Sequence, residues 1–207
     1  MAIVWETGFE TGTPAEIFDT IVESGGVSIQ STYKNSGTYA LQVVHQAGGS
    51  SYCRKDIDWE TTVVARVYIR FDSIYTGDSV GYIRFLGGSS NAYIGIRASG
   101  DGGYLYYYDT VAGTVNSNVV AETGHWYCID FRSNGSTSKF DWQIDGSAQT
   151  QLSNGVGDVY GLDIGVFDTV ATDIQVDDVA YSLTDGDYPL GPTSTTASNV
   201  VYMIFES

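Results

Sequence analysis

The sequence predicts an all-β chain folded as two stacked antiparallel sheets, and three observations point there. Apolar and polar residues alternate with a period of two. Glycine-rich turn signals interrupt those runs every roughly 8–12 residues. No window carries a long amphipathic helix. Composition agrees, because 25 of the 207 residues are Gly and 16 are Tyr while only 3 are Pro, a balance that suits strands joined by tight turns. Hydrophobic residues make up 43%, enough for a core, and the length fits one sandwich better than two domains.

Each element follows from the alternation. In the run Val63–Phe71, the residues Val63, Ala65, Val67, Ile69 and Phe71 share one face, with Val64, Arg66, Tyr68 and Arg70 on the other. This is the pattern of a half-buried strand. Ile83 and Phe85 oppose Tyr82 and Arg84, and Ile94 and Ile96 oppose Tyr93 and Arg97. Leu105 and Tyr107 oppose Tyr104, Tyr106 and Tyr108; Tyr127, Ile129 and Phe131 oppose Asp130 and Arg132. Phe140, Trp142 and Ile144 oppose Asp141, Gln143 and Asp145, and Leu162, Ile164 and Val166 form a further apolar row. Asn134-Gly135, Asp145-Gly146 and Asn154-Gly155 supply positive-φ turns between runs. A short helical turn fits only near Thr13–Glu16, where Pro14 stands at a first helical position.

Residues 1–192 thus read as one domain and 193–207 as a separate extension: a small-polar linker followed by the apolar stretch Val200, Val201, Tyr202, Met203, Ile204 and Phe205. Such a strand either returns to its own sheet or adds to a neighbour's edge as an assembly arm. The net charge of −16 disfavours nucleic acid and anionic membranes as partners. No apolar run reaches the ~20 residues of a membrane helix. The first residues do not form a secretory signal, so synthesis in a cytoplasm is expected. Cys53 and Cys128 lack metal-type spacing and read either as a cross-strand disulfide or as two buried thiols.

The order of several segments carries a resemblance. Phe9-Glu10-Thr11-Gly12, Ser36-Gly37-Thr38-Tyr39-Ala40-Leu41-Gln42-Val43, Trp126-Tyr127-Cys128-Ile129, Ile144-Asp145-Gly146 and Asp177-Asp178-Val179 follow one another. This succession, over residues 1 to 192, resembles the concanavalin A-like lectin/glucanase superfamily in its LamG-like branch. The resemblance implies a two-sheet jelly-roll sandwich with glycan binding, protein binding or surface display, a type also seen in tailed-phage structural proteins.

Catalysis is not expected. The glucanase branch carries Glu-x-Asp-x-x-Glu on one strand, and nothing here matches it. Asp177 and Asp178 are adjacent, so the period-two rule sends them to opposite faces. The lyase branch needs clustered Arg, Gln, His and Tyr. His125 sits in a turn, and His45 ends a strand without a nucleophile pattern nearby. No cofactor is expected, although Asp78 and Asp101 are weak candidates for a Ca²⁺ site.

The informative feature is positive charge. Apart from Arg54, the arginines lie mid-strand opposite the apolar rows, which puts Arg66, Arg70, Arg84, Arg97 and Arg132 with Tyr68, Tyr82, Tyr93, Tyr104, Tyr106 and Tyr108 on one sheet face. That face reads as a solvated surface, a subunit interface or a glycan groove. Two functions follow. The first is a non-enzymatic virion structural protein, a capsid decoration or tail accessory subunit, assembling with itself or other virion proteins through sheet faces and the arm. The second is an extracellular carbohydrate-binding module that uses the Arg/Tyr face.

Overall fold

A computed structural model describes residues 3–46, 48–74, 79–97, 103–153, 155–168 and 170–190. Asp78, Asp101, the 192/193 boundary and the whole arm, including Val200, Val201, Tyr202, Ile204 and Phe205, lie outside the described residues. Strands dominate. The chain begins with β1 (Ile3–Thr7), β2 (Thr20–Val22), β3 (Gly26–Gln30), β4 (Ala40–His45), β5 (Ser51–Glu60) and β6 (Thr62–Phe71). It continues with β7 (Ser79–Gly87), β8 (Asn91–Arg97), β9 (Tyr104–Asp109), β10 (Gly113–Val120) and β11 (Trp126–Asn134). It ends with β12 (Lys139–Ile144), β13 (Ser147–Ala148), β14 (Leu152–Ser153), β15 (Val159–Val166) and β16 (Thr172–Ser182). Short 3-10 turns stand at Pro14–Glu16, as the proline predicts, and at Asp185–Asp187. Among the described residues, no helix is long and apolar enough to cross a membrane.

The strands form two antiparallel sheets. A nine-stranded sheet runs β13-β12-β11-β6-β16-β4-β3, with β1 added to β16 and β14 to β12. A seven-stranded sheet runs β10-β9-β8-β7-β15-β5-β2. The alternating apolar rows face each other between the sheets and make one core. Aromatic rings bridge the layers: Phe85 meets Phe131 at 4.8 Å, Tyr107 meets Phe140 at 4.2 Å, and Phe71 meets Tyr82 at 5.0 Å between centroids. Such pairs add ~0.5–1.5 kcal/mol each beyond the area they bury. Trp142 is fully buried and still satisfies its indole N–H, which donates to the Thr150 carbonyl at 3.1 Å.

The two outer faces differ. On the nine-stranded sheet, Leu190 and Tyr188 fold back over Val64 and Ala180 together with Ile3, so chain segments cover part of that face. The two thiols are free: Cys53 is buried in the core, and Cys128 lies on the outer face of the other sheet. A disulfide between them is therefore ruled out by placement.

Candidate functional site

The sheet order divides the arginines and tyrosines into separate groups. Arg66, Tyr68 and Arg70 on β6 and Arg132 on β11 belong to the nine-stranded sheet. Arg84, Tyr93, Arg97, Tyr104, Tyr106 and Tyr108 belong to the seven-stranded sheet. These outer faces look away from each other, so the single Arg/Tyr face expected from the alternation does not exist. Period two tells inside from outside but not which sheet a strand joins. Tyr82 is a further correction. A register shift between Gly81 and Ile83 turns it inward, and it is 1% exposed in the core. Arg54 corrects the other way, since it lies mid-strand in β5 with its side chain on the outer face of the seven-stranded sheet.

The arginines of the nine-stranded sheet serve the fold. Arg66 is 1% exposed, above the Tyr68 ring at 6.0 Å, and its charge acts on Asp130. Arg70 pairs with Asp72, donates to Gln175 at 2.5 Å and lies 4.0 Å over the Tyr33 ring. Arg132 donates to Asp141 at 2.6 Å and to Asp185 at 3.2 Å, under Tyr188 at 4.9 Å. Each guanidinium is thus held by carboxylate or amide oxygens, aromatic rings or both.

The seven-stranded sheet presents a different arrangement. Cross-strand register places Arg54, Asp163, Arg84, Tyr93 and Tyr108 in one row over β5, β15, β7, β8 and β9. Asp163 is fully buried and accepts from Arg54 Nε at 2.7 Å and from Arg84 Nε at 2.8 Å. Hydrogen bonding to Asp163 raises the Arg54 pKa. Burial works against the charge on Arg84, but Asp163 outweighs it and the pKa ends raised. Both guanidinium groups therefore stay charged. The guanidinium of Arg84 is ringed by Phe167 at 4.3 Å, Tyr52 at 5.1 Å and Tyr93 at 5.9 Å. The arginine side chains keep 24% and 15% of their surface exposed, which leaves donors available to a ligand.

Glycines make this packing possible. A Cβ at Gly81 would lie 2.9 Å from Tyr93 Cδ1, and one at Gly165 would lie 2.1 Å from the Ser51 carbonyl oxygen. Bare backbone at these points lets the Tyr93 ring and the Tyr52 strand sit close. Tyr108 lies tilted beside Tyr93, ring centroids 6.3 Å apart, and is 37% exposed. Tyr106 is buried, and burial is the first cause that pushes its phenol pKa up.

Asp177 and Asp178 do not go to opposite faces. A register shift follows Asp177, and Asp178 has φ 45°, so both carboxylates grip one loop. Asp177 accepts the backbone N–H groups of Asn35 at 2.9 Å and Ser36 at 3.0 Å, while Asp178 accepts the side chains of the same two residues. Burial first, and then the charge of Asp178, push Asp177 up to about 7. His45 has hydroxyl neighbours that its sequence position hides: its Nδ1 lies 2.9 Å from Ser24 Oγ and 3.1 Å from Ser51 Oγ. Sequence reasoning also passed over Tyr52, Asp163 and Phe167. The signal was present in Gly161-Leu162-Asp163-Ile164-Gly165, where an acid alternates with glycines on the face opposite an apolar row.

No protein-family model matches the chain, and the curated proteins contain no match. Solved structures do. The cellulose induced protein Cip1 superposes with a TM-score of 0.70 at 17% identity, covering 87% of this chain and 97% of its own. The fold is a two-sheet antiparallel jelly-roll sandwich. The alginate lyase AlgAT5 of polysaccharide lyase family 7 gives a TM-score of 0.57 at 12% identity, covering 77% of this chain and 83% of its own. Botulinum neurotoxin type C, whose cell entry is dependent upon interaction with two ganglioside molecules, gives 0.55 at 11% identity, covering 80% of this chain and 43% of its own. At these identities the likeness is one of fold.

Proposed function

We propose that this jelly roll is a carbohydrate-binding domain that holds a glycan on the outer face of its seven-stranded sheet without transforming it. The observation behind this reading is the Arg54–Asp163–Arg84 triad framed by Tyr52, Tyr93 and Phe167. Aromatic faces suit the C–H faces of sugar rings, and fixed guanidinium edges suit hydroxyls and carboxylates. The triad carries a net single positive charge on a chain of −16, so it is a local attractor for an acidic sugar within a Debye length. Two similar proteins support the substrate class, one named for alginate, an acidic polysaccharide, and one for gangliosides. The assembly reading rests on sheet faces together with an arm that lies outside the described residues, and the similar structures named above lend it nothing.

Binding without catalysis is supported by the surroundings of the triad. His45 lies in the nine-stranded sheet and His125 precedes β11, so neither histidine stands beside it as a general base. Burial keeps the Tyr106 phenol protonated.

Titration calorimetry with alginate hexasaccharide and with a panel of neutral hexasaccharides tests the reading. Wild type binds, and Tyr108→Ala weakens binding of the acidic ligand about tenfold, the value of one aromatic contact. An absence of binding across the panel, or a Tyr108→Ala variant that binds as wild type does, removes the proposal.

A further inference from the structure

Trp59 is the most exposed large apolar side chain among the described residues, at 64%, and its backbone is left-handed with φ 32°. Both features are unfavourable for a tryptophan, and a strained conformation at an exposed position points toward use rather than packing. Register explains how it arises. Glu60 pairs with Val159 and Asp56 with Gly161, so Ile57, Asp58 and Trp59 stand against the single residue Tyr160. The excursion sends Ile57 into the core and lays Trp59 across Tyr160, rings 4.8 Å apart and inclined by 33°. A second support comes from Gly88, where a Cβ would lie 3.0 Å from Trp59 Cζ3. The indole is therefore fixed on two sides and bare on the rest, which lowers the entropy cost of stacking on it.

The surroundings select the ligand. Asp56, Asp58 and Asp158 are exposed, and residues 56–60 and 157–161 contain no Arg or Lys. A sugar carboxylate is repelled here, whereas hydroxyls find acceptors. Tyr160 precedes Asp163 by three positions on β15, about 10 Å along a strand. We propose that Trp59, backed by Tyr160, is the stacking platform for a neutral pyranose unit, with Asp56 accepting its hydroxyls. This inference rests on the glycan-binding reading and adds a second, neutral position to it.

The test uses the full chain, with Trp59→Gly and Trp59→Phe variants, against alginate hexasaccharide and hexasaccharides of β-1,4-linked glucose, mannose, galactose and xylose. Trp59→Gly is expected to lower affinity for the bound neutral sugar at least tenfold. It should leave alginate affinity within about threefold, and its melting temperature should not fall because glycine relieves the left-handed backbone. Trp59→Phe should retain most of the affinity. If Trp59→Gly leaves neutral-sugar binding intact while Tyr108→Ala still weakens alginate, the platform is wrong and the glycan reading stands. If wild type binds alginate but no neutral sugar, the platform is equally wrong. If it binds no glycan at all, both proposals fall. A wild-type dimer that Trp59→Gly converts to monomer makes the surface a self-association contact and overturns the inference.

Discussion

Asp163→Asn isolates the electrostatics of the triad, because it preserves shape and removes one charge. Asp163 is fully buried, and both arginine Nε atoms reach it at 2.7 and 2.8 Å. Removing one partner from a fully buried ion pair costs about 3–5 kcal/mol. Here the arginine side chains are 24% and 15% exposed, so water recovers part of their solvation and the expected loss is about 2–3 kcal/mol. For a domain of this size that lowers Tm by about 4–12 °C. Urea unfolding followed by tryptophan fluorescence measures it, with an unchanged m-value showing that only stability moved. The triple variant Arg54→Met, Asp163→Leu, Arg84→Met should regain most of the loss, since an apolar replacement leaves no buried charge unpaired, while losing alginate capture. A change below about 0.5 kcal/mol for Asp163→Asn, the range of ordinary surface substitutions, would falsify the claim that this carboxylate holds the two cations.

Asp177 sits at about 7 in the folded protein against an ordinary carboxyl value of 3.8, so between those values the native state holds a proton that the unfolded chain releases. Its contribution is complete below pH ~4 and is lost as pH rises through ~7, by about 4 kcal/mol. Comparing Tm of wild type and Asp177→Asn from pH 4 to pH 8 reads this directly, and parallel profiles would refute it. Gly95→Ala places a Cβ 1.9 Å from the Val80 carbonyl oxygen, whereas Gly186→Ala meets nothing within 4 Å. The first should cost about 3 kcal/mol or more and the second less than about 0.5 kcal/mol, and equal melting temperatures would contradict the contact. Burial pushes both Cys53 and Cys128 up to about 12. Labelling of the native protein with a disulfide reagent at pH 8 should therefore be far slower than labelling in urea, and rapid native labelling would count against these placements.

The inside-outside assignment was legible in the sequence because it depends only on alternation. Val63, Ala65, Val67, Ile69 and Phe71 are all in the core. Sheet membership was not legible, because it depends on which strands pair across long separations, as β6 does with β11 and β16. That is why Arg66 and Arg84, identical in local pattern, ended on opposite sides of the sandwich. Tyr82, Asp178 and Trp59 each lie at or beside a register shift: one extra residue inverts the alternation at the first two, and at Trp59 three residues stand against one. The candidate site was half visible. Arg84, Tyr93 and Tyr108 were read correctly as outward, but the buried Asp163 that organises them stood in a run noted only for its apolar residues.

Strand β16 lies between β4 and β6 and also carries β1. It is synthesised after every strand it joins. Until it emerges from the ribosome, the β3–β4 hairpin and the β6–β11–β12 unit cannot be united, and each presents an open edge to other nascent chains. Completion of the domain is therefore a late, single event with long loops to close, slow by the measure of contact order. Chains interrupted before Thr172 should accumulate as aggregates rather than as smaller folded pieces.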